Sequence, residues 1–423
     1  MSTTHGASPV GSGLPTTGRP DALDLVVDTA SLVRGLRVVE RAVSGRAART
    51  LPILQYLLLT AGDGRLTLTA SDGYCAIKAA CLAEVRTPGR VALPAKLLAE
   101  YADRLAADRV TIVADPTRGR VRVAAGRASA VIGTADPDAF PALPDPPLDR
   151  AVTLDTAGLR RALGRVASFA ADDDARPILG TIRCRLDDSG LIAAAADGQR
   201  IARARCAIVA GAPCAGEELL IPASAVDQLA RLLRDDAPTY LMTLPGGNGC
   251  WFVHGAVALY SQLATGAFPD IDQLIPTTAA TTCTVDTGTL GQALGQAGLF
   301  DDGATARSVL FRIAAGTLTV FAGGDGAGEG LSEIDAEVTG VGGTLVLDTS
   351  YVKDLLGGSA PTRLTLAWEG EYKAIAVRDA DRRPGEITAD DAWVLMPQYG
   401  REVLARFERA CREAAAGERP RAA

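Results

Sequence analysis

The chain has 423 residues, 48% of them hydrophobic and 22% charged, with a formal net charge of −7. That length suits about three domains of roughly 100–150 residues each, and the apolar content is enough to give each its own core. The acidic balance argues against indiscriminate nucleic-acid binding, though it leaves open where the positive charge sits. No apolar run approaches the ~20 residues of a membrane span, and the N-terminus lacks the order of a secretion signal, so a cytoplasmic protein without membrane contact is expected. The eight cysteines form no Cys-x-x-Cys pair and only two histidines are present, which disfavours disulfide, zinc and histidine-base chemistry. Neither a metal nor a cofactor is expected.

Residues 1–20, rich in Ser, Thr, Gly and Pro, read as a disordered lead. From there the chain repeats itself. A helix start recurs as Asp28-Thr29-Ala30-Ser31-Leu32, Asp155-Thr156-Ala157-Gly158-Leu159 and Asp286-Thr287-Gly288-Thr289-Leu290. A second signal recurs at Leu93-Pro94-Ala95, Ile221-Pro222-Ala223 and Leu347-Asp348-Thr349. Both keep a period of about 130 residues, too long for a solenoid unit and right for a whole domain.

Within a copy the expected order is strand, capped helix, strands separated by turns, second helix, more strands. In the first copy the helix should run from Asp28 to about Val43, with the aspartate as its cap. Gly62-Asp63-Gly64 and Asp72-Gly73 are hairpin turns, and Asp197-Gly198 repeats the latter in the second copy. Proline-rich linkers at Phe140–Pro144 and Phe268–Pro276 mark the boundaries. The predicted organisation is therefore 21–145, 146–276 and 277–399, each an α+β unit with helices on sheet, followed by an amphipathic helical extension at 400–423.

Positive charge gathers on the repeated helices. Arg34, Arg37 and Arg41 share one face of the first helix, with Arg46 and Arg49 in the loop beyond. Arg160, Arg161 and Arg165 stand on the equivalent helix of the second copy, and Arg231 and Arg234 on its partner. These are the candidate phosphate-facing residues, whereas Gly291–Phe300 in the third copy carries no basic residue. Asp172-Asp173-Asp174 would repel phosphate. The Gly323–Gly330 stretch lacks the Lys-Ser/Thr of a P-loop and leads into a strand, so a hairpin is expected. No nucleophile motif is found, and no enzyme is expected.

Several scattered segments resemble those of one family, the β sliding clamps of bacterial DNA polymerase III. They are Thr50-Leu51-Pro52-Ile53-Leu54 with Leu66–Asp72, Arg176-Pro177-Ile178-Leu179, Ala195–Ile201, Phe268-Pro269-Asp270 and Val394-Leu395-Met396-Pro397. The resemblance implies three tandem DNA-clamp domains and a homodimer of six domains ringed around double-stranded DNA. It also implies a peptide cleft formed by Leu179, Gly198, Gln199, Arg200, Ile201, Pro269, Gln273, Leu274, Ala374, Val394, Leu395, Met396 and Pro397. There Met396 would be a deformable wall and Arg200 would meet peptide acids or carbonyls. Implied partners are the polymerase III alpha subunit and other polymerases, the clamp loader, and repair proteins with clamp-binding motifs.

For ring closure the resemblance implies apolar contact between Leu299 and Phe300 of one copy and Ile132 of the other, with Ala130 where a larger residue is common. Gln199 stands where the family often has histidine. The extension beyond Pro397 is unusual for the family and is expected to pack near the cleft and limit access to it. Two readings stay open: a processivity clamp, or a clamp-derived interaction protein that binds partner motifs without encircling DNA.

Overall fold

The computed structural model describes residues 21–43, 51–173, 175–211, 217–234, 237–300, 307–324, 328–357, 359–370, 372–382 and 391–417. The expected lead at 1–20, Arg46, Arg49, Asp174, Cys214 and the tip of the Gly-rich hairpin lie outside them.

The three copies are plain in the order of elements. The first holds β1 (Leu23–Asp28), α1 (Thr29–Val39), β2 (Tyr56–Gly62), β3 (Arg65–Ser71), β4 (Cys75–Thr87), β5 (Gly89–Pro94), α2 (Ala95–Ala102), β6 (Arg109–Asp115), β7 (Arg120–Ala125) and β8 (Ala128–Gly133). The second holds β9 (Val152–Leu154), α3 (Thr156–Val166), β10 (Thr181–Asp187), β11 (Gly190–Ala196), β12 (Arg200–Cys206), β13 (Ile208–Ala210), β14 (Glu218–Pro222), α4 (Ala223–Leu232), β15 (Thr239–Thr243), β16 (Gly249–His254) and β17 (Val257–Gln262). The third holds β18 (Thr281–Asp286), α5 (Thr287–Ala297), β19 (Ser308–Ala314), β20 (Thr317–Gly324), β21 (Gly328–Asp335), β22 (Glu337–Thr339), β23 (Gly343–Asp348), α6 (Thr349–Leu355), β24 (Arg363–Trp368), β25 (Ile375–Asp379) and β26 (Ala392–Leu395). A last helix, α7 (Arg401–Gly417), follows.

The recurrent aspartates do what their spacing implies. Asp28 accepts the backbone N–H of Ser31 at 2.7 Å, Asp155 that of Gly158 at 2.9 Å and Asp286 that of Thr289 at 2.7 Å. Each satisfies one of the orphan donors that every helix start leaves. The threonine that follows adds a long-range clip, donating its hydroxyl to a carbonyl just past the second helix: Thr29 to Ala107, Thr156 to Ala237 at 2.8 Å and Thr287 to Pro361 at 2.6 Å. The Asp-Gly turns also repeat. Gly73 and Gly198 sit at φ of 96° and 95°, a region open to glycine, while Asp72 and Asp197 each accept two backbone N–H groups of the turn.

Helix α1 is shorter than expected, since Glu40–Ala42 tighten into a 3-10 turn that carries Arg41. Strand β4 runs on to Thr87, because its far half pairs with β1.

Two compact units emerge from contacts within the chain, one comprising 1–151 with 239–262, the other 152–238 with 263–423. In the first, β17 of copy two lies antiparallel on β4 of copy one, with Leu259 opposite Ile77. The second repeats this: β26 of copy three lies antiparallel on β12 of copy two, with Val394 opposite Ile201. Each of these two copies thus hands its last strand to the copy before it.

In the third copy α5 packs against β20 and β21. Another face of that sheet is covered by α7, whose Val403, Leu404, Phe407 and Ala410 pack on Leu310, Phe321 and Val346. Phe407 meets Phe321 edge-on at 5.4 Å, and Arg406 is buried against the Gly323 carbonyl and Glu402.

Candidate partner cleft and charged faces

The β12–β26 seam brings the remote cleft segments together. One apolar cluster contains Leu179, Ala194, Ala196, Ile201, Leu220, Phe268, Ile271, Ile275, Ala392 and Val394, with half-buried Ala171, Ile178, Ala264 and Ala374 against it. Leu179 comes from the 3-10 turn Pro177–Gly180, Ile201 from β12, Phe268 from the second linker and Val394 from β26. This is a floor, and its rim is open: Leu274 is 57% exposed and Met396 37% exposed, with Gly198, Gln199, Pro269 and Gln273 also exposed and Pro397 half-buried. The Met396 N–H donates to the Gln199 carbonyl at 3.0 Å, which joins two rim segments directly.

Two expected cleft residues play other parts. Leu395 is buried but stands outside this cluster, because side chains alternate along a strand and Ala392 and Val394 take the cleft face. Arg200 is not available to a peptide. Its guanidinium donates to Asp197 at 2.8 Å, to Asp354 of α6 at 2.6 Å and to the Ser168 carbonyl at 2.6 Å, and it lies over the rings of Phe169 and Tyr351. It ties copy two to copy three beneath the rim.

The linker that forms one wall is held by charge. Asp272 meets Arg183 at 3.2 Å and Arg203 at 3.0 Å, with Arg185 at 3.9 Å. Burial works against this carboxylate, yet Arg203 and Arg183 hold its pKa below the usual range. Helical spacing gives no sign of these arginines, because they lie on strands; alternation along the strand, which puts Arg183, Arg185 and Arg203 on one face, is the signal that marks them.

The expected DNA-facing set divides. Arg34, Arg37, Arg41, Arg160, Arg231 and Arg234 are exposed, Arg37 paired with Asp103 at 3.1 Å. Arg161 is half-buried and donates to the Arg205 carbonyl. Arg165 is 7% exposed and inward: it pairs with Asp391 at 2.6 Å, donates to the Ser359 carbonyl and lies over Trp393. It is a structural residue, not one that meets phosphate. Exposed Lys96 on α2 and Lys353 on α6 are further cations, each standing singly on its helix and so invisible to a criterion of clustered arginines.

The residues expected to close a ring lie at two edges. Ile132 is 4% exposed and belongs to its own core, and Ala130 on the same face is half-buried, whereas Val131 between them is 56% exposed. On the other edge Leu299 is exposed and half-buried Phe300 lies against Gly328 and Gly330 of β21.

Nothing among the described residues is arranged for catalysis. Burial pushes the Cys75, Cys184 and Cys206 thiols up to about 12, which silences them as nucleophiles. His254 is buried, its ring nitrogen 3.1 Å from the Thr239 hydroxyl. No group of three or more metal-ligating side chains occurs among the described residues, and Asp173 instead accepts from Ala175 and Arg176. No helix of the described residues is long and apolar enough to cross a membrane.

Comparison with known proteins agrees with this geometry. Residues 23–144 match the family model for the DNA polymerase III beta subunit N-terminal domain, and residues 153–270 that for its central domain. A beta sliding clamp from Synechocystis is 28% identical over 354 residues, covering 78% of this chain and 89% of the relative. One from Pseudomonas putida is 25% identical over 380 residues, covering 89% and 99%. Among solved structures, the sliding clamp from Bacillus subtilis superposes with a TM-score of 0.81 at 20% identity, and that from Pseudomonas aeruginosa bound to griselimycin with 0.79 at 23%, each covering 89% of this chain and 99% of its own. With more than half of its length matched by the family models and its α+β clamp fold shared with the solved structures, the chain belongs to the DNA polymerase III beta subunit family, the beta sliding clamps, non-catalytic accessory factors of DNA polymerase.

Proposed function

We propose that two copies of this DNA sliding clamp close head to tail around duplex DNA and present the Leu179–Ile201–Val394 cleft to linear segments of their partners. The observation that carries the reading is the pattern of strand pairing. Strand β4 receives β17 of the next copy and β12 receives β26. By position in the repeat, β21 corresponds to β4 and β12, and β8 to β17 and β26. Yet among the described residues β21 pairs only with β20 and β8 only with β7, so one donor and one acceptor edge are left over. A second molecule satisfies both, and such a contact closes with two-fold symmetry.

Val131 supports this assignment. By hairpin register it corresponds to Tyr260, which lies opposite Ala76 in the β4–β17 seam. The exposed Arg34, Arg37, Arg41, Arg160, Arg231 and Arg234, with Lys96 and Lys353, supply charge for loose phosphate contact that permits sliding. The partners of the cleft are the polymerase III alpha subunit, other polymerases, the clamp loader and repair proteins, in the cytoplasm at the nucleoid. Sedimentation of the full chain followed by primer extension after loading tests the reading. A dimer that lengthens the products supports it, whereas a monomer at micromolar concentration that leaves product length unchanged overturns it.

A further inference from the structure

The internal repeat supplies its own comparison for one surface of the third copy. Met242, Trp251 and Tyr260 lie side by side across β15, β16 and β17, with Tyr260 opposite Ala76 in the seam. The matching row of copy three is Ala367, Ala376 and Val394 across β24, β25 and β26, with Val394 opposite Ile201. One row away, Tyr240 and Val253 have Thr365 and Arg378 as counterparts. In copy two Met242, Leu244 and Trp251 form a buried apolar cluster, with Leu143 and Tyr260 packed against it. In copy three the thioether and the indole of that row have become two methyl groups.

The space those side chains would fill stays open. A cavity of about 460 Å³ lies between the β24–β25 strands and linker residues 276–279, with Thr365, Ala367, Ala376, Arg378 and Arg382 in its lining. That volume is in the range of small-molecule sites, roughly 300–1,000 Å³. The cavity is distinct from the partner cleft: Ile275 packs on the cleft floor, and the linker then passes on to form this cavity's wall from Pro276. Charge at the border is positive. The carboxylate of Asp379 is 3.9 Å from the inward Arg165, whereas the Arg378 guanidinium is held at the border by donating to the Pro276 carbonyl at 2.9 Å. Planar, permanently charged guanidinium groups suit both the face of an aromatic ring and an anion.

We propose that this cavity is a ligand site apart from the partner cleft, and that it takes a flat bicyclic aromatic ring carrying an anionic group. The ring occupies the place that Trp251 fills in copy two, resting on Ala367 and Ala376, and the anion meets Arg378 and Arg382. The Thr365 hydroxyl offers a hydrogen bond to the ring edge. An indole carboxylate and a purine nucleotide share this chemistry. The site is complete within one chain and needs neither ring closure nor an occupied cleft.

The test is isothermal titration of the full chain with two anions, indole-3-acetate and guanosine monophosphate, and with their neutral counterparts, indole-3-ethanol and guanosine. At least one anion binds, about 10-fold more tightly than its neutral counterpart, as a charge-assisted contact warrants. The tighter of the two assigns the site to aromatic acids or to nucleotides. Ala376→Trp and Ala367→Met, which put back the side chains of copy two, each abolish binding. The methionine variant also keeps its urea midpoint, which separates a filled cavity from a chain that has failed to fold. Met396→Ala, in the partner cleft, leaves the titration unchanged. Failure of both anions to bind, equal binding of charged and neutral forms, or binding that survives both filled variants overturns the site. Loss of binding in Met396→Ala places the ligand in the cleft and overturns it as well.

Discussion

Arg165 and Asp391, 226 residues apart, form an ion pair at 2.6 Å in which both side chains are buried. The pair joins α3 of copy two to the start of the strand that ends copy three, and Asp391 also accepts the Arg205 N–H at 2.7 Å. Removing one partner of such a pair strands a charge, so Arg165→Met is expected to cost about 3–5 kcal/mol in urea unfolding. The deficit has a pH signature. Burial raises the Asp391 pKa, outweighing Arg165. A carboxyl whose folded pKa exceeds its unfolded one gains protons on folding, so its contribution to stability falls as pH rises through that window. Without Arg165 the window widens, and the variant is expected to recover part of its stability on acidification from neutral to about pH 5. A larger deficit at the acid end would contradict the assignment.

Asp272 works in the opposite sense. Its folded pKa is depressed, so the stability it gives the linker is present above the ordinary carboxylate range and disappears as pH falls through the folded value, beneath that range. Asp272→Asn should loosen the linker at neutral pH and weaken binding of a partner-derived peptide several-fold, with hydrogen exchange rising at Ile271–Leu274. Unchanged exchange there would separate the charge cluster from the wall it is taken to hold.

Val131→Asp puts a carboxylate into the proposed seam between molecules, opposite a β21 edge that already carries Glu329, Glu333 and Asp335. An unpaired buried charge costs several kcal/mol, so dimer affinity should drop by about 100-fold or more. Light scattering reads the outcome, and Ile132→Val is the control expected to leave the dimer intact.

Replacing Arg34, Arg37 and Arg41 together by alanine should reduce the slope of log binding against log salt by about 0.9 for each phosphate that is no longer neutralised. Arg165→Met should leave that slope unaltered, because the residue faces inward. A slope that moves with Arg165 and not with the α1 set would reverse the division between structural and phosphate-facing arginines.

What can be read from sequence is local. An aspartate three residues ahead of an unsatisfied N–H caps a helix whatever surrounds it, so Asp28, Asp155 and Asp286 are legible, as are the Asp-Gly turns and the second helices that begin after Pro94, Pro222 and Asp348. What is not legible depends on distant partners or on single-residue register. Arg165 looks like Arg160 until Asp391 is folded against it. Val394 and Leu395 exchange roles with a one-residue shift of face. Amphipathic spacing predicts α7 as a helix, but not what its apolar face meets: that face lies on Leu310, Phe321 and Val346, with Arg401 and Leu404 beside the rim residue Pro397.

The strand handed from copy to copy has a kinetic consequence. The β4–β17 and β12–β26 seams join segments of one chain, so a breach in either recloses at the high effective concentration that a covalent linker enforces. The proposed seam between β8 and β21 of two molecules has no covalent linker across it, and a breach in one is bridged only by the rest of the ring. Three similar joints therefore differ most in how fast they reseal, and an applied strain parts the ring at a seam that no covalent linker spans.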